Sequence, residues 1–310
     1  MFILAGSVAG LVLLLAGMQL MRGGLEEAAR GRMKRVLSRL TGTPWRSAIT
    51  GLAITMLVQS STAVTVLTVG FVNARLLGLA QAVGIVLGSN VGACITVQMF
   101  AFNFTGLALP LTVLGGMLWT LGRHGPLANP GRALFGFGCA FLGLQLMSAS
   151  FAPLQQSPFF IQLIATLGDS PILALLAGVG ASALLHSSSA STGMVMLLYS
   201  QGLMSLPTAI AVVLGNNIGT CITAVLASLW GPAAGRRVAL AHVLLNVAGT
   251  VIFLPLLPLF SSLVAATAES MSRQVANAHT IYNLISSMAI LPFIHPFTRL
   301  VELAVPDRRS

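Results

Sequence analysis

Charged side chains are the scarcest feature of this 310-residue chain. Asp, Glu, Lys and Arg together make up 7% of it, and only 6 residues are acidic. A soluble domain carries about a quarter charged residues, so a water-exposed surface of ordinary composition is excluded. The 16 basic residues give a net charge of +10, but they are scattered between apolar segments. Because no basic face forms, the sequence predicts no nucleic-acid partner.

Cysteines are few as well. Cys94, Cys139 and Cys221 lie in apolar segments, and no two of them have the spacing of zinc ligands. A disulfide scaffold is therefore excluded, and the spacing argues against a metal cluster. Hydrophobic residues make up 56% of the chain, with charge-free stretches at 47–74, 76–122, 133–168, 170–235 and 238–268. Since about 20 apolar residues form one spanning helix, we predict an all-α polytopic membrane protein in the lipid bilayer.

Two kinds of polar interruption divide the apolar segments. The segments 45–73 and 170–200 carry a polar cluster in the middle, and we predict two re-entrant helical hairpins there, with arms of about 12–15 residues. The segments 76–101 and 206–230 contain glycine-flanked asparagines at 88–92 and 215–219. Broken backbone is tolerated in a membrane only where it is buried in protein or lines a polar cavity. We therefore expect two interrupted transmembrane helices. The alternative is that Gly84, Gly88 and Gly92 form a helix-packing face.

An internal repeat relates the two halves of the chain. A shift of 127 residues places 59–99 on 186–226 without a gap, and 15 of the 41 positions are identical. A weaker match places 17–21 on 143–147 at a shift of 126. We predict repeat 1 at 1–125, with a span, the hairpin 45–73 and spans at 76–101 and 106–122. Repeat 2 at 126–260 has a span, the hairpin 170–200 and spans at 206–230 and 237–259, and an extra span with a cytoplasmic tail follows at 261–310.

The basic residues predict the orientation. Seven of them follow the first span, between 22 and 46, so that loop is cytoplasmic. Each repeat holds three crossings, so the second copy begins from the opposite face, which is the inverted topology of many secondary transporters. With this scheme 15 of the 16 basic residues lie inside. We expect a cell (inner) membrane protein with its N-terminus outside and its C-terminus in the cytoplasm. The charge rule does not separate re-entrant hairpins from double crossings, and the short arms favour re-entry.

The hairpin centres offer ligands of two kinds. Hydroxyl and amide oxygens with freed backbone carbonyls suit a small alkali cation, whereas N–H groups at helix starts suit an anion. Asn90 and Asn217 add amide oxygens. No charged residue lies inside any predicted span, which disfavours a proton relay. The composition therefore favours sodium together with an oxyanion.

These motifs resemble a known family. Gln-Ser-Ser-Thr at 59–62 and His-Ser-Ser-Ser at 186–189, each followed by Gly-x-Asn-x-Gly and Thr, are similar to the duplicated signature of the type II sodium/phosphate cotransporters. The resemblance implies sodium-coupled symport of inorganic phosphate by alternating access, with Na+ as coupling ion and no other cofactor or metal. The phosphate-binding set that we expect is Ser60, Ser61, Thr62, His186, Ser187, Ser188 and Ser189. The sodium-binding set is Gln59, Ser60, Ser61, Asn90, Thr96, Ser187, Ser188, Asn216, Asn217 and Thr223.

Other interpretations remain at this point. A symporter of another oxyanion, such as sulfate, arsenate or a small carboxylate, would use the same site. An intramembrane hydrolase built on His186 and Ser187 lacks an acidic partner, so we predict no enzyme. A channel is disfavoured because two hairpins would block its pore. The histidine at 186, where the family has Gln, leaves sodium stoichiometry and pH dependence open, and the sequence leaves open whether the chain forms a homo-oligomer.

Overall fold

A computed structural model describes residues 2–102, 105–123 and 125–306, and these residues contain helices and no strand. The apolar composition and the scarcity of charge account for this, because a lipid-embedded backbone must satisfy its own hydrogen bonds. Six helical stretches in the described part are long and apolar enough to cross a membrane. The fold class is therefore confirmed as an all-α polytopic membrane protein. The helices are α1 Phe2–Leu40, α2 Pro44–Val58, α3 Ser61–Asn73, α4 Leu79–Ala101, α5 Ala108–Leu121, α6 Ala128–Phe151, α7 Pro158–Asp169, α8 Pro171–Leu185, α9 Ser188–Ser200, α10 Leu206–Thr220, α11 Ile222–Ser228, α12 Ala233–Phe253, α13 Leu257–Ala265, α14 Met271–Ile290 and α15 Ile294–Ala304.

The two predicted hairpins are pairs of helices with the same local design. Each begins with a hydroxyl N-cap and a proline at the first helical position, Thr43 before α2 and Ser170 before α8. Each then turns through one residue in the left-handed conformation, Gln59 at φ 57° and His186 at φ 48°. These equivalent positions lie 127 residues apart, and we call two residues at this spacing repeat mates.

The predicted interruption at 88–92 is wrong. Helix α4 runs unbroken from Leu79 to Ala101, and in the second repeat the helix breaks only at Cys221, after the motif 215–219. The glycines serve packing instead. A Cβ at Gly88 would overlap the backbone of Ala48 in α2, and one at Gly215 would overlap Leu175 in α8. Small residues allow membrane helices to approach each other this closely. The structure therefore has the alternative, in which the glycines of α4 form a helix-packing face.

Other boundaries also differ from the sequence prediction. Helix α1 continues through the basic stretch after residue 21 instead of ending in a loop, and its candidate span is Ala5–Ala29. Helix α7 was not predicted; it has no buried residue and meets α8 at an angle of 111°. The last predicted span is a longer run, Met271–Ala304. The three cysteines are free and buried, as their apolar surroundings predict.

Helices α1 and α6 pack closely through glycines, and this contact sets the position of the candidate site. Cβ atoms at Gly17 and Gly136 would each overlap the backbone of the other helix. Two turns further along α1, Gly24 lies against Ala133 of α6. The segment between Gly17 and Gly24 is therefore held rigidly, and it carries the side chain that reaches both hairpins.

Candidate functional site: two hairpin tips joined by an arginine

The turns of the two hairpins, which we call tip 1 (Gln59 and Ser60) and tip 2 (His186 and Ser187), present equivalent groups. Ser60 is the N-cap of α3 and accepts a hydrogen bond from the backbone N–H of Ala63 at 3.1 Å. Ser187 is the N-cap of α9 and accepts one from Ala190 at 3.2 Å. Both serines are buried. Each tip therefore places the positive end of a helix dipole beside a buried hydroxyl.

Arg22 of α1 connects the two tips. Its Nε donates to the backbone carbonyl of Gln59 at 3.0 Å, and one terminal nitrogen donates to the Ser187 hydroxyl at 3.2 Å. The tips therefore lie within the reach of a single guanidinium group. These bonds use two of the five N–H donors of an arginine. A fixed positive charge thus lies where both helix N-termini meet.

A carboxylate accompanies this arginine. Glu26, one helical turn further along α1, lies close to the Arg22 guanidinium and to the Ser60 side chain. Both charged residues lie within the candidate span Ala5–Ala29. The expectation that no charged side chain lies inside a span is therefore wrong. Glu26 offsets the guanidinium charge in part, because the two charges have opposite sign and adjoin the same tip.

Gln59 and Thr96, both predicted as sodium ligands, come together. The Thr96 hydroxyl donates to Oε1 of Gln59 at 2.6 Å, and both side chains are buried. The bond links tip 1 to α4. Asn90 lies half-buried in the middle of α4 and makes no side-chain hydrogen bond within the described residues. Repeat 1 therefore gathers amide and hydroxyl oxygens next to the turn, as hard cations require.

The second repeat distributes the predicted residues differently. The side chain of Asn216 accepts from Ser191 at 2.8 Å and donates to Thr192 at 3.2 Å, which ties α10 to α9. The Asn217 amide donates to the carbonyl of Val213, and the Thr223 hydroxyl donates to the carbonyl of Thr220. Both side chains therefore bond to backbone three or four residues before them in the sequence. Among the described residues, none of these three side chains is hydrogen-bonded to His186 or Ser187.

His186 is not the structural equivalent of Gln59. It has the same left-handed backbone, but its side chain is exposed and makes no hydrogen bond within the described part of the chain. Gln59, in contrast, is 7% exposed and bonded to Thr96. The remaining predicted phosphate ligands lie in the first turns of α3 and α9, half-buried at Ser61 and Thr62, buried at Ser188 and Ser189.

Arg22 is a candidate site residue that the sequence prediction missed. It was assigned to the first cytoplasmic loop because it is the first charge after an apolar run. One signal could have located it: Arg22 and Glu26 are spaced to share a helix face, directly after 17–21, which is repeated at 143–147. A charge pair that continues a repeated helix is more consistent with that helix than with a loop. Within the described residues no group of three His, Cys, Asp or Glu side chains could hold a metal ion.

Comparison with known proteins agrees with this architecture. The family model described as Na+/Pi-cotransporter matches residues 13–149 and 156–286. "Uncharacterized protein YqeW" of Bacillus subtilis is 34% identical over 257 residues, which cover 83% of each chain. "Putative inorganic phosphate export protein YjbB" of Escherichia coli K12 is 32% identical over 266 residues, covering 86% of this chain and 48% of YjbB. This chain therefore spans about half the length of that relative.

A shorter match reaches an animal transporter. "Sodium-dependent phosphate transport protein 2C" of Homo sapiens is 44% identical over 85 residues, 26% of this chain and 14% of the human protein. No solved structure matches. The family model covers most of the chain, in both halves and on both hairpins. The duplicated helical hairpins, the tips and the matched segments together show that this chain belongs to the Na+/Pi-cotransporter family.

Proposed function

We propose that this protein is a secondary transporter that moves inorganic phosphate together with sodium, by alternating access around the two tips. The observation that carries the proposal is the contact of Arg22 with both tips. A guanidinium group recognises phosphate through paired N–H donors, and helix N-termini are established anion sites. Without Arg22, the serine hydroxyls of the two tips would offer phosphate no positively charged side chain.

In the phosphate site, Arg22 supplies the charge and α3 and α9 supply backbone N–H groups. The hydroxyls of Ser60, Ser61 and Thr62 face the anion from tip 1. From tip 2 we propose the same role for His186, Ser187, Ser188 and Ser189. Glu26 limits anion affinity when no cation is present, because its carboxylate adjoins the same site. A sodium ion beside Glu26 would relieve that repulsion, which gives a physical route to coupling.

For sodium we propose the oxygens of repeat 1 as the primary ligands. Gln59 and Thr96 are joined by a hydrogen bond at tip 1, and the side-chain amide of Asn90 makes no hydrogen bond to any residue that the structure describes. Ser60 and Ser61 complete the set. In repeat 2, Asn216, Asn217 and Thr223 are engaged within the fold, so a sodium ion near Ser187 and Ser188 would require these bonds to rearrange.

The two repeats are in different environments, which is consistent with alternating access. Arg22 in α1 corresponds to Ser148 in α6 at a shift of 126. Arg22 contacts the tips, whereas Ser148 accepts two hydrogen bonds from Gln201, at the far end of α9. Ser148 and Gln201 also line a cavity of about 610 Å3 between α4, α6 and α9. An asymmetric arrangement of similar repeats is expected of one state in a two-state cycle.

The orientation scheme and the re-entry of both hairpins belong to this proposal. Single cysteines at Thr43 and Ala74, in a background without native cysteines, should react only from the cytoplasm. Cysteines at Ser170 and Gly202 should react only from outside. Labelling of either pair from opposite sides would mean that its hairpin crosses the membrane fully.

Equilibrium binding tests the proposed site directly. Purified protein should bind radiolabelled phosphate in sodium chloride and bind far less in choline chloride, because the cation offsets the carboxylate of Glu26. Sulfate at equal concentration should compete poorly if phosphate is the substrate. Phosphate binding that is equal in the two salts would contradict sodium coupling, and displacement by sulfate would identify another oxyanion as substrate.

A further inference from the structure

Two buried hydroxyl groups in repeat 1 have no hydrogen-bond partner among the residues that the structure describes, although their repeat mates have one. They are the Oγ1 atoms of Thr55 in α2 and Thr65 in α3. Their repeat mates, Ser182 in α8 and Thr192 in α9, are both hydrogen-bonded. A buried polar group without a partner destabilises the folded state, so this difference between the repeats requires a physical cause.

The first cause is a substitution in α4. Thr192 accepts a hydrogen bond from the amide of Asn216, whose repeat mate is Ser89. Ser89 is buried and too short to reproduce that amide. Ser191, the other partner of Asn216, has the apolar Val64 as its repeat mate. The junction of α3 and α4 therefore lacks the amide donor and one of the hydroxyls that the junction of α9 and α10 has.

The second cause is another sequence difference between the repeats, four residues further along the same helix. Ser182 shares a hydrogen bond of 2.8 Å with Thr220. The repeat mate of Thr220 is Ala93, which has no polar atom. Thr55 packs against this part of α4, since its side chain would contact a Cβ at Gly92. Thr55 thus adjoins the stretch of α4 where Ala93 replaces Thr220, and Thr65 lies in α3, which packs against the same helix.

The group that Thr65 lacks is a hydrogen-bond donor, which carries a partial positive charge. In repeat 2 the lone pair of Thr192 faces the amide N–H of Asn216. In repeat 1 the Ser89 hydroxyl donates its proton to the carbonyl of Val86 at 2.9 Å, so its lone pairs also remain available. Oxygen lone pairs without a donor, in a buried place, are suited to a small hard cation.

We propose that a sodium ion binds between α3 and α4, ligated by Thr65 and Ser89, at the place that the amide of Asn216 occupies in repeat 2. Thr55 contributes a hydroxyl from α2. The inference rests on the proposed sodium-coupled function and extends it: the cation is bound in repeat 1 alone, because repeat 2 fills the equivalent place with its own side chain.

Sodium-dependent thermal stability of the purified full chain, measured without phosphate, tests this site. A ligand that binds only the folded state raises the melting temperature, so sodium chloride should stabilise the parent relative to choline chloride. Ser89→Asn installs the repeat 2 side chain, and Thr65→Val removes a ligand at equal volume. Each should raise the sodium concentration needed for half-maximal stabilisation by about fivefold or more, as the loss of one polar contact predicts.

Repeat 2 provides the matched control. Thr192→Val removes the equivalent hydroxyl and lowers stability in both salts, but it should leave the sodium dependence as in the parent. Without sodium, Ser89→Asn should melt above the parent, because its amide restores the partner of Thr65. If Ser89→Asn does not fold, Thr65→Val decides the question alone.

Three outcomes overturn the proposal: no sodium-specific stabilisation of the parent, parental sodium dependence in both variants, or an equal loss in Thr192→Val. The first and second would mean that the junction holds water only. A parent that is stabilised by sodium but does not bind phosphate would contradict the proposed function and leave this cation site intact.

Discussion

Replacement of Arg22 is the perturbation that most directly tests the joined tips. In Arg22→Gln the side chain keeps an amide donor but loses the charge and the reach to both tips. The structure gives this arginine two hydrogen bonds, to Gln59 and to Ser187. We propose that the guanidinium also donates to phosphate, and a hydrogen bond to a charged group contributes about 1.5–3 kcal/mol. Loss of about 2 kcal/mol corresponds to roughly thirtyfold weaker phosphate binding.

The assay is phosphate binding at saturating sodium, with Arg22→Lys and Glu26→Gln for comparison. Lysine keeps the charge but has no planar fork, so Arg22→Lys should fall between the parent and Arg22→Gln. Glu26→Gln removes the nearby negative charge and should bind phosphate more tightly at low sodium. The double variant Arg22→Gln/Glu26→Gln separates loss of the ligand from exposure of an uncompensated carboxylate. A parental dissociation constant in folded Arg22→Gln would refute a phosphate-binding role for this residue.

Two further predictions concern the tips and their support. Ser187→Ala should lose an N-cap, about 1 kcal/mol of stability, and most phosphate uptake, whereas Ser157→Ala removes the N-cap of α7 and should transport normally; equal uptake by both would contradict the assignment. Gly88→Val should prevent α2 from packing on α4, while Gly180→Val, with open space at its Cβ, should purify like the parent; equal yields of the two would argue against the packing role.

The hairpins were predictable because their signals are local. A proline after a hydroxyl N-cap starts a helix, and a serine after the turn starts the next one; both signals occur twice, 127 residues apart. Short apolar arms with a central polar cluster do not form one continuous span. The structure has a helix pair at each of these places.

The glycine motifs were misread because glycine serves two purposes in membranes. Gly88 and Gly92 are compatible with a broken helix and with a close helix contact. The choice depends on the partner, and the sequence does not state that α2 lies against α4. Once the contacts of Gly88 with Ala48 are known, a continuous α4 follows.

The site was predicted in part, for a related reason. Tip residues such as Ser60 and Ser187 carry the repeat and are visible in one sequence. Arg22 has no repeat mate of its kind, since Ser148 occupies the equivalent position, and it contacts partners that are distant along the chain. A comparison of the two repeats does not detect a residue that only one repeat contributes to the candidate site. The same comparison becomes informative after the structure is known, as the orphaned Thr65 demonstrates.

The most direct measurement of sodium-coupled phosphate transport uses the purified full chain in proteoliposomes. Uptake of radiolabelled phosphate is followed with an inward sodium gradient and, in parallel, with an inward choline gradient of equal size. The proposed function predicts transient accumulation of phosphate above its external concentration in the sodium case alone, with loss of accumulation when the gradient is collapsed by a sodium ionophore. Phosphate uptake that proceeds equally in choline, or that never exceeds the external concentration, would contradict it.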